Sequence, residues 1–191
     1  EYTIAYELDG GTNHEDNPET YTIEDETITL EDATKTGYSF EGWYDAETDG
    51  NLVTEIPQGS TGDITLYAYW TANKYNVTFD AQGGTPGPAV RQVTYDGTYG
   101  ELPEVAKTGH TFQGWFTEQS GGIEVTAGTK VTTADDHTLY ARWEINTYTV
   151  IFSAGENGSI SAKVGEATIT SGADVGHFSE VVFTAEPDTG Y

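Results

Sequence analysis

The sequence predicts a mainly β protein, organised as a tandem array of small β-rich repeats with at most one short helix each. Three observations predict this fold class: aromatic and β-branched runs that alternate, glycine-rich turns, and sequence blocks that recur with one period. The 191 residues include 13% aromatic residues and 23 glycines. Aromatic side chains can bury enough apolar surface for folding, while Gly, Thr and β-branched residues favour turns and strands.

The repeat is visible in three separate blocks. Residues 2–12 (YTIAYELDGGT) return as 75–85 (YNVTFDAQGGT) after 73 residues, 37–44 (GYSFEGWY) return as 109–116 (GHTFQGWF) after 72, and 65–70 (TLYAYW) return as 138–143 (TLYARW) after 73. Three blocks that share one order and one period indicate a repeat architecture. We therefore predict a first module at residues 1–72 and a second at residues 73–145.

A third module is predicted over residues 146–191. It begins like the others, with YTVIFSAG at 148–155, but its first tyrosine stands 42 residues before the next motif glycine, where the second module has 34. The sequence stops at Tyr191, where the other modules continue into FxGW. We expect a partial, divergent module that is truncated at its C-terminus and belongs to a longer protein.

Each strand of the first module follows from its local pattern. Alternation over residues 2–8 is typical of a half-buried strand, and the DGG that follows supplies the positive-φ positions of a tight turn. Further strands are predicted at residues 20–23, 27–30, 38–44 and 64–70. A helical turn is best placed between Gly50 and Gly59, although Pro57 limits its length.

Short linkers join the modules. Four residues, 71–74 (TANK) and 144–147 (EINT), separate successive modules, and neither linker is a Gly/Ser-rich flexible tether. Neighbouring repeats must touch or nearly touch, which favours a semi-rigid spacer whose first partners are the neighbouring repeats of the same chain.

The charge balance excludes several partners. The 32 acidic and 7 basic residues give a net charge of −25, which disfavours nucleic acid and anionic membrane surfaces. No stretch of 18 apolar residues is present, so we expect no direct membrane insertion. The three modules hold 17, 9 and 6 of the acidic residues, which makes acidity a property of the first module and not of the repeat.

No constellation of reactive residues indicates an enzyme or a cofactor. The absence of cysteine excludes disulfides, thiol catalysis and cysteine-ligated zinc. The four histidines lack metal-ligand spacing and are interpreted as surface residues. Among the acids, only one residue is identical at equivalent positions of the two full modules: Asp63 in the first and Asp136 in the second. We predict no catalytic residues and no cofactor.

One weak metal candidate is the acidic stretch at Asp45, Glu47 and Asp49, which begins like a calcium loop with oxygen ligands at alternate positions. The twelfth position is Ile56 instead of the closing glutamate, and the second module lacks these carboxylates. A solvated acidic hairpin is therefore the favoured interpretation.

The tryptophans recur at equivalent positions, as core packing predicts. They are Trp43 and Trp70 in the first module, and Trp115 and Trp143 in the second. The alternative is that some of these rings, or Tyr44 and Tyr69, form a platform on which a sugar stacks.

Together, three motifs resemble the Listeria–Bacteroides repeat, also called the internalin-type B-repeat. They are the Yx(I/V)x(Y/F)xxxGGT opening, the KTG(Y/H)xFxGW(Y/F) middle (residues 35–44 and 107–116) and the DxTLYAxW ending (residues 63–70 and 136–143). The resemblance covers roughly residues 1–145. It implies compact β-grasp (ubiquitin-like) modules on secreted or wall-anchored bacterial proteins, no catalytic residues, and a first and last strand that pair in parallel.

The sequence thus predicts a non-catalytic repeat region of a bacterial cell-surface or secreted protein, located outside the cell or in its wall. We expect a semi-rigid spacer or stalk and auxiliary adhesion segment. The alternative is a direct binding module for a host protein or glycan, with exposed aromatic residues as the contact surface.

Overall fold

A computed structural model describes residues 1–190, and Tyr191, which ends the third predicted module, lies outside the described residues. The regular secondary structure of the described chain is β-strand alone, with no helix, which confirms the mainly β prediction. Consequently, residues 1–190 include no helix able to cross a membrane.

The strands have the following bounds. The first module contains β1 (Tyr2–Glu7), β2 (Thr20–Tyr21), β3 (Ile28–Thr29), β4 (Tyr38–Tyr44), β5 (Leu52–Val53), β6 (Glu55–Ile56) and β7 (Ile64–Ala72). The second contains β8 (Lys74–Asp80), β9 (Ala89–Thr94), β10 (His110–Phe116), β11 (Glu124–Val125) and β12 (His137–Ile145). The third contains β13 (Thr147–Val150), β14 (Gly158–Val164), β15 (Ala167–Ile169), β16 (Ala173–Gly176) and β17 (Val181–Pro187).

The segment from Gly50 to Gly59 does not form the helical turn that the sequence suggested. It holds β5 and β6 instead, and β6 pairs antiparallel with β3, placing Ile28 opposite Ile56. The Leu30 amide donates to the Thr54 carbonyl at 3.0 Å. A cross-strand partner therefore satisfies the backbone here, and this tertiary pairing overrides the local preference.

The first module has a five-stranded sheet in the order β2-β1-β7-β4-β5. Strands β1 and β7 are parallel neighbours, with Ile4 opposite Ile64, which confirms the parallel pairing of first and last strands. Strand β7 then pairs antiparallel with β4, and the register shifts between Phe40 and Gly42. The β-grasp assignment as a named fold stays a prediction.

The bulge in β4 turns two large rings toward the same side of the sheet. Strict alternation would place Phe40 and Trp43 on opposite faces, but the extra residue at the bulge restores them to one face. Gly42 sits there with φ +137°, a conformation that side-chain-bearing residues rarely adopt.

The core of the first module is formed by residues of this sheet together with residues in and beside the β3–β6 pair. Trp43 is only 2% exposed and meets Tyr6 and Phe40 edge-on, with ring centroids 5.0 and 5.3 Å apart. The core residues lie within the first module; they are Ile4, Tyr21, Leu30, Ala33, Trp43, Ile56, Leu66 and Ala68.

The second and third modules have different sheets. The second five-stranded sheet has the order β11-β10-β12-β8-β9. The third module has a β13–β16 pair and a three-stranded sheet in the order β15-β14-β17, in which Val182 and Phe183 stay 53% and 47% exposed. The third module thus departs from the repeat in its pairing as well as in its sequence.

The chain divides into two compact units. One comprises residues 1–78, 90–101 and 127–137, and the other comprises 79–89, 102–126 and the chain from 138 onward. The segments that follow the two linkers each share a unit with the end of the preceding module. The module boundaries at 72/73 and 145/146 stay a prediction.

The two glycines of the opening motif are required for different structural reasons. Gly10 and Gly83 have φ +82° and +83°, as their tight turns require. Gly11 and Gly84 lie under a tryptophan: a Cβ at Gly11 would stand 2.5 Å from the Trp70 ring, and one at Gly84 equally close to Trp143. The second glycine is therefore needed for the close approach of an indole.

Replacing the second glycine should destabilise the module. We expect Gly84→Ala to lower the free energy of unfolding by about 1–3 kcal/mol, the usual cost of overpacking a filled site. Gly128→Ala is the matched control, because a Cβ there meets nothing within 4 Å. Urea denaturation of both variants checks the prediction, and equal losses would contradict it.

Candidate functional site

The fully buried tryptophans serve packing and not a binding platform. Trp43 and Trp115 are each 2% exposed, and their indole N–H groups donate to the carbonyls of Glu31 (2.9 Å) and Pro103 (3.0 Å), which are equivalent in the two modules. A buried ring with its one donor satisfied has no free group to offer a ligand. The core interpretation of these two residues is confirmed.

The recurring aspartates fasten one strand to another. Asp63 accepts the Thr3 amide at 2.8 Å, and Asp136 accepts the Asn76 amide at 2.7 Å. These backbone hydrogen bonds are the largest cause that holds the pKa of both carboxyls below the usual range. Both aspartates are therefore structural.

One of the three calcium candidates, Asp45, has a structural role in its loop. Asp45 accepts the Asn51 amide at 2.7 Å, and the equivalent Thr117 hydroxyl accepts the Ile123 amide at 3.0 Å in the second module. The hydrogen bonds from Asn51 hold the pKa of Asp45 low. Because the Thr117 hydroxyl accepts the same hydrogen bond as the Asp45 carboxylate, the loop requires a hydrogen-bond acceptor at this position and does not require a negative charge.

Within residues 1–190, no three His, Asp or Glu side chains are arranged so that they could hold a metal ion. Glu47 and Asp49 are exposed, and Asp49 occupies a turn with φ +54°. Calcium binding at Asp45, Glu47 and Asp49 stays a prediction to which the geometry adds no support.

Two histidines are not free surface residues. His137 Nε2 lies 2.7 Å from the Tyr99 hydroxyl, and its Nδ1 lies 2.9 Å from the Asp135 carbonyl. His177 packs against Tyr148, with ring centroids 5.7 Å apart. Both rings are half-buried, and single-sequence spacing does not show which ring a distant residue contacts.

The outer face of the first sheet, opposite the core, carries a row of side chains that crosses four strands. The row is defined by register: Glu7 on β1 lies opposite Tyr67 on β7, which lies opposite Tyr44 on β4, which lies opposite Leu52 on β5. Both tyrosines are half-buried, and Glu7 and Leu52 are exposed. We call this surface the tyrosine face.

Tyr69 packs against this row. Its ring stacks on Tyr44 with centroids 3.9 Å apart and planes 14° apart, and its hydroxyl donates to the Ala46 carbonyl at 3.0 Å. In the second module the equivalent pair is Phe116 and Arg142, whose guanidinium carbon lies 3.8 Å from the ring centroid. The same place thus holds a tyrosine in one module and a cation in the next.

The tyrosine face borders an open cavity of about 950 Å³. Acidic side chains dominate its rim: Glu7, Asp9, Glu41 and Glu47. Lys35 also lines the cavity and carries a positive charge. Its Nζ lies 3.0 Å from Asp9 and 4.3 Å from the Tyr38 ring centroid. The cavity therefore combines aromatic rings with an excess of negative charge.

The joint between the first and second modules is a continuous chain of hydrogen bonds through Asn73. The Asn73 amide donates to the Gly37 carbonyl (2.9 Å), the Asn73 carbonyl accepts the Tyr95 amide (2.8 Å), and the Asn73 side chain accepts the Ser39 hydroxyl (2.6 Å). A Cβ at Gly37 would overlap the Tyr95 ring. The following module therefore rests directly on the glycine of the KTG motif.

Asn146 repeats this joint between the second and third modules. Its amide donates to the Gly109 carbonyl (2.8 Å), its carbonyl accepts the His177 amide (2.7 Å), and its side chain accepts the Thr111 hydroxyl (2.7 Å). His177 takes the place of Tyr95 over the glycine. Two different modules thus bind the preceding one through equivalent atoms.

A polar contact within the second module adjoins the first joint. Lys130 Nζ lies 2.6 Å from Asp96 Oδ1. The hydrogen bond from Lys130 is the largest cause that lowers the pKa of Asp96, and a further hydrogen bond from Tyr38 lowers it too. Tyr38 also meets Tyr95 edge-on, with ring centroids 5.6 Å apart.

The sequence motifs did not predict either joint. Asn73 and Asn146 recur with the 73-residue period inside the linkers, and that recurrence was the available signal. Tyr95 and His177 left none, because the two side chains differ and their spacing from the linker differs.

These observations define a class: a tandem array of β modules whose recurring residues maintain the core and the joints. The chain belongs to the Listeria-Bacteroides repeat domain family, whose model matches residues 2–69 and 75–142. The family resemblance read from the three motifs is confirmed.

Similar proteins occur in two bacteria. Internalin H of Listeria monocytogenes is 34% identical over 149 residues, which cover 76% of this chain and 25% of that protein. A protein of Evansella cellulosilytica that is named as a membrane protein is 34% identical over 179 residues, which cover 90% of this chain and 26% of that protein. The chain spans about a quarter of the length of these relatives.

The aspartate fastening should make stability depend on pH. Because the pKa of Asp63 is lower in the folded state, its carboxylate stabilises the fold above the unfolded pKa of about 3.9, and this stabilisation is lost as pH falls through the folded pKa. We expect Asp63→Asn to melt at a lower temperature than the wild type at pH 7, with the difference vanishing near pH 2.

Asp32→Asn is the control, since it removes the same charge from an exposed position of the same module. Thermal melts followed by circular dichroism between pH 2 and pH 7 measure both variants. A loss that is equal at all pH values would contradict the assignment of Asp63.

Calcium should leave the chain unaffected. At about 5 mM calcium, above the dissociation constants typical of extracellular calcium modules, we expect no shift of the melting temperature because Asp45 is already bonded to Asn51. Differential scanning calorimetry with and without EDTA measures this. A rise in melting temperature that Glu47→Gln abolishes would establish the calcium site instead.

Proposed function

We propose that this chain is a non-catalytic repeat region of a bacterial cell-surface protein, and that it acts as a semi-rigid spacer and auxiliary adhesion segment. The observation that carries the proposal is the joint: Asn73 and Asn146 make the same three hydrogen bonds to the modules on either side. A linker whose amide, carbonyl and side chain are all engaged cannot act as a free hinge.

Location at the cell envelope is part of the proposal. It is supported by the names of the relatives, an internalin and a membrane protein, and by membership of the same repeat family. In those proteins the matched region forms about a quarter of the chain. This proportion is consistent with a region that connects other segments of the same protein. The parallel β1–β7 pair supports assigning the full modules to the β-grasp class.

The proposed non-catalytic role is supported by the contacts that the recurring polar residues make. Asp63 and Asp136 fasten strands, and Lys107 donates to the Gln82 carbonyl at 3.0 Å. Residues retained for such contacts are not available as acid, base or nucleophile.

The second candidate is a direct binding module for a host protein or glycan. The tyrosine face favours it, because half-buried tyrosines beside an open cavity are typical of recognition surfaces.

A double-mutant cycle at the first joint tests the spacer role. Gly37→Ala should destabilise the chain because the added methyl group overlaps the Tyr95 ring. Tyr95→Ala should remove that overlap, so that the double variant loses less than the sum of the two single variants. We expect a coupling free energy of about 1–2 kcal/mol in urea denaturation, which is the range for contacting residues.

Gly59→Ala in place of Gly37→Ala is the control. Gly59 also has a positive φ, +83°, but a Cβ there meets nothing within 4 Å. Its cycle with Tyr95→Ala should be additive. If the Gly37–Tyr95 cycle is additive as well, the modules do not rest on each other and the spacer proposal fails.

A further inference from the structure

We infer that the tyrosine face of the first module binds an extended, cationic segment of a partner protein, rich in arginine or lysine. This inference rests on the second candidate, the binding role, and not on the spacer role. Its test measures peptide binding, whereas the spacer test measures unfolding, so either can fail alone.

The charge of the face is uncompensated. Glu7, Glu41 and Glu47 are exposed and line the cavity, and across residues 1–190 their carboxylates make no hydrogen bond or ion pair. Asp9 is paired with Lys35. These three carboxylates lie beside aromatic rings and have no hydrogen-bond donor within the described part of the protein. A cationic side chain can donate hydrogen bonds to the carboxylates and make cation–π contacts with the ring faces.

The repeat itself shows which ligand chemistry this surface accepts. In the first module the Lys35 ammonium lies over the Tyr38 ring, beside Asp9. In the second, the Arg142 guanidinium lies over the Phe116 ring, at the place that Tyr69 occupies in the first. Each module thus has a cation of its own on an aromatic ring, and in the second module that ring, Phe116, occupies the place of Tyr44.

The second module lacks two of the three unpaired carboxylates, and Asp80, in the place of Glu7, is bonded to Gln82. Glu41 and Glu47 are replaced by Gln113 and Gln119 there, and Tyr69 is replaced by Arg142. Both glutamines retain a polar side chain without the charge, and the arginine repels a cationic ligand. Binding is therefore specific to the first module, where 17 of the 32 acidic residues lie.

The dimensions fit an extended segment. The row from Glu7 through Tyr67 and Tyr44 to Leu52 crosses three strand spacings, roughly 14 Å at about 4.8 Å each. An extended chain covers that distance in about four residues, at about 3.3 Å per residue. Side chains two residues apart would then point to the face together, so alternating cations match it best.

The test uses the chain of 191 residues and an eight-residue peptide of alternating arginine and serine. Isothermal titration calorimetry at physiological salt should show saturable binding. We expect Glu41→Gln/Glu47→Gln, which copies the second module, to weaken binding about tenfold, the effect of losing two exposed charge contacts. Tyr67→Leu should also weaken binding, because it removes a ring while keeping an apolar side chain on β7.

Glu24→Gln/Glu26→Gln is the charge-matched control. These glutamates lie in an exposed turn of the same module, away from the cavity lining, so their removal changes the net charge equally. Binding should change less than about twofold, since only the long-range field is altered.

Three results would overturn the inference. Equal weakening by the two double variants would mean diffuse attraction to an acidic protein. Absence of saturable binding would mean that the face has no cationic ligand. Binding of chitohexaose, with loss on Tyr67→Leu and without peptide binding, would assign the face to glycans.

Discussion

A tryptophan ring lying on a backbone that has no side chain is the contact on which each full module depends. Trp70 lies over Gly11 and donates to the Leu8 carbonyl at 3.0 Å, and Trp143 lies over Gly84 and donates to the Ala81 carbonyl at 2.9 Å. The ring closes the end of the parallel strand pair, and its apolar surface contributes to a core that has no disulfide to support it. A module of about 72 residues is small for a single core, and this partly buried ring adds apolar contacts at the edge of that core.

The joints differ from these core contacts, because they depend mainly on hydrogen bonds of main-chain atoms. At Asn73, two of three hydrogen bonds use its own amide and carbonyl, and the ring over Gly37 requires only the absence of a Cβ. The side chain that covers the glycine can therefore vary, as Tyr95 and His177 show. What the repeat must retain is one glycine, one asparagine and a hydroxyl two residues beyond the glycine.

The sequence allowed the two repeats, most strands and the packing of Trp43 and Trp115 to be predicted, because periodicity and the three motifs record them directly. The parallel pairing of β1 and β7 came from the family resemblance, since alternation alone does not reveal a strand's partner. The bulge at Gly42, the strands that replaced the suggested helical turn and the partners of His137 could not be predicted, because each depends on contacts between residues distant in sequence. The Asp45 loop shows the same limit: a pattern of carboxylates resembled a calcium loop, yet Thr117 makes the equivalent hydrogen bond without a charge.

The main-chain character of the joints has a consequence for how such arrays change in length. An in-frame duplication or deletion of one period carries the glycine, the hydroxyl and the asparagine together, so the new boundary is complete as soon as it is encoded. No compensating substitution on a facing surface is required. Gene rearrangement can thus alter the number of modules in one step, while the outer faces diverge independently, as the tyrosine face of the first module and its arginine-bearing counterpart have done.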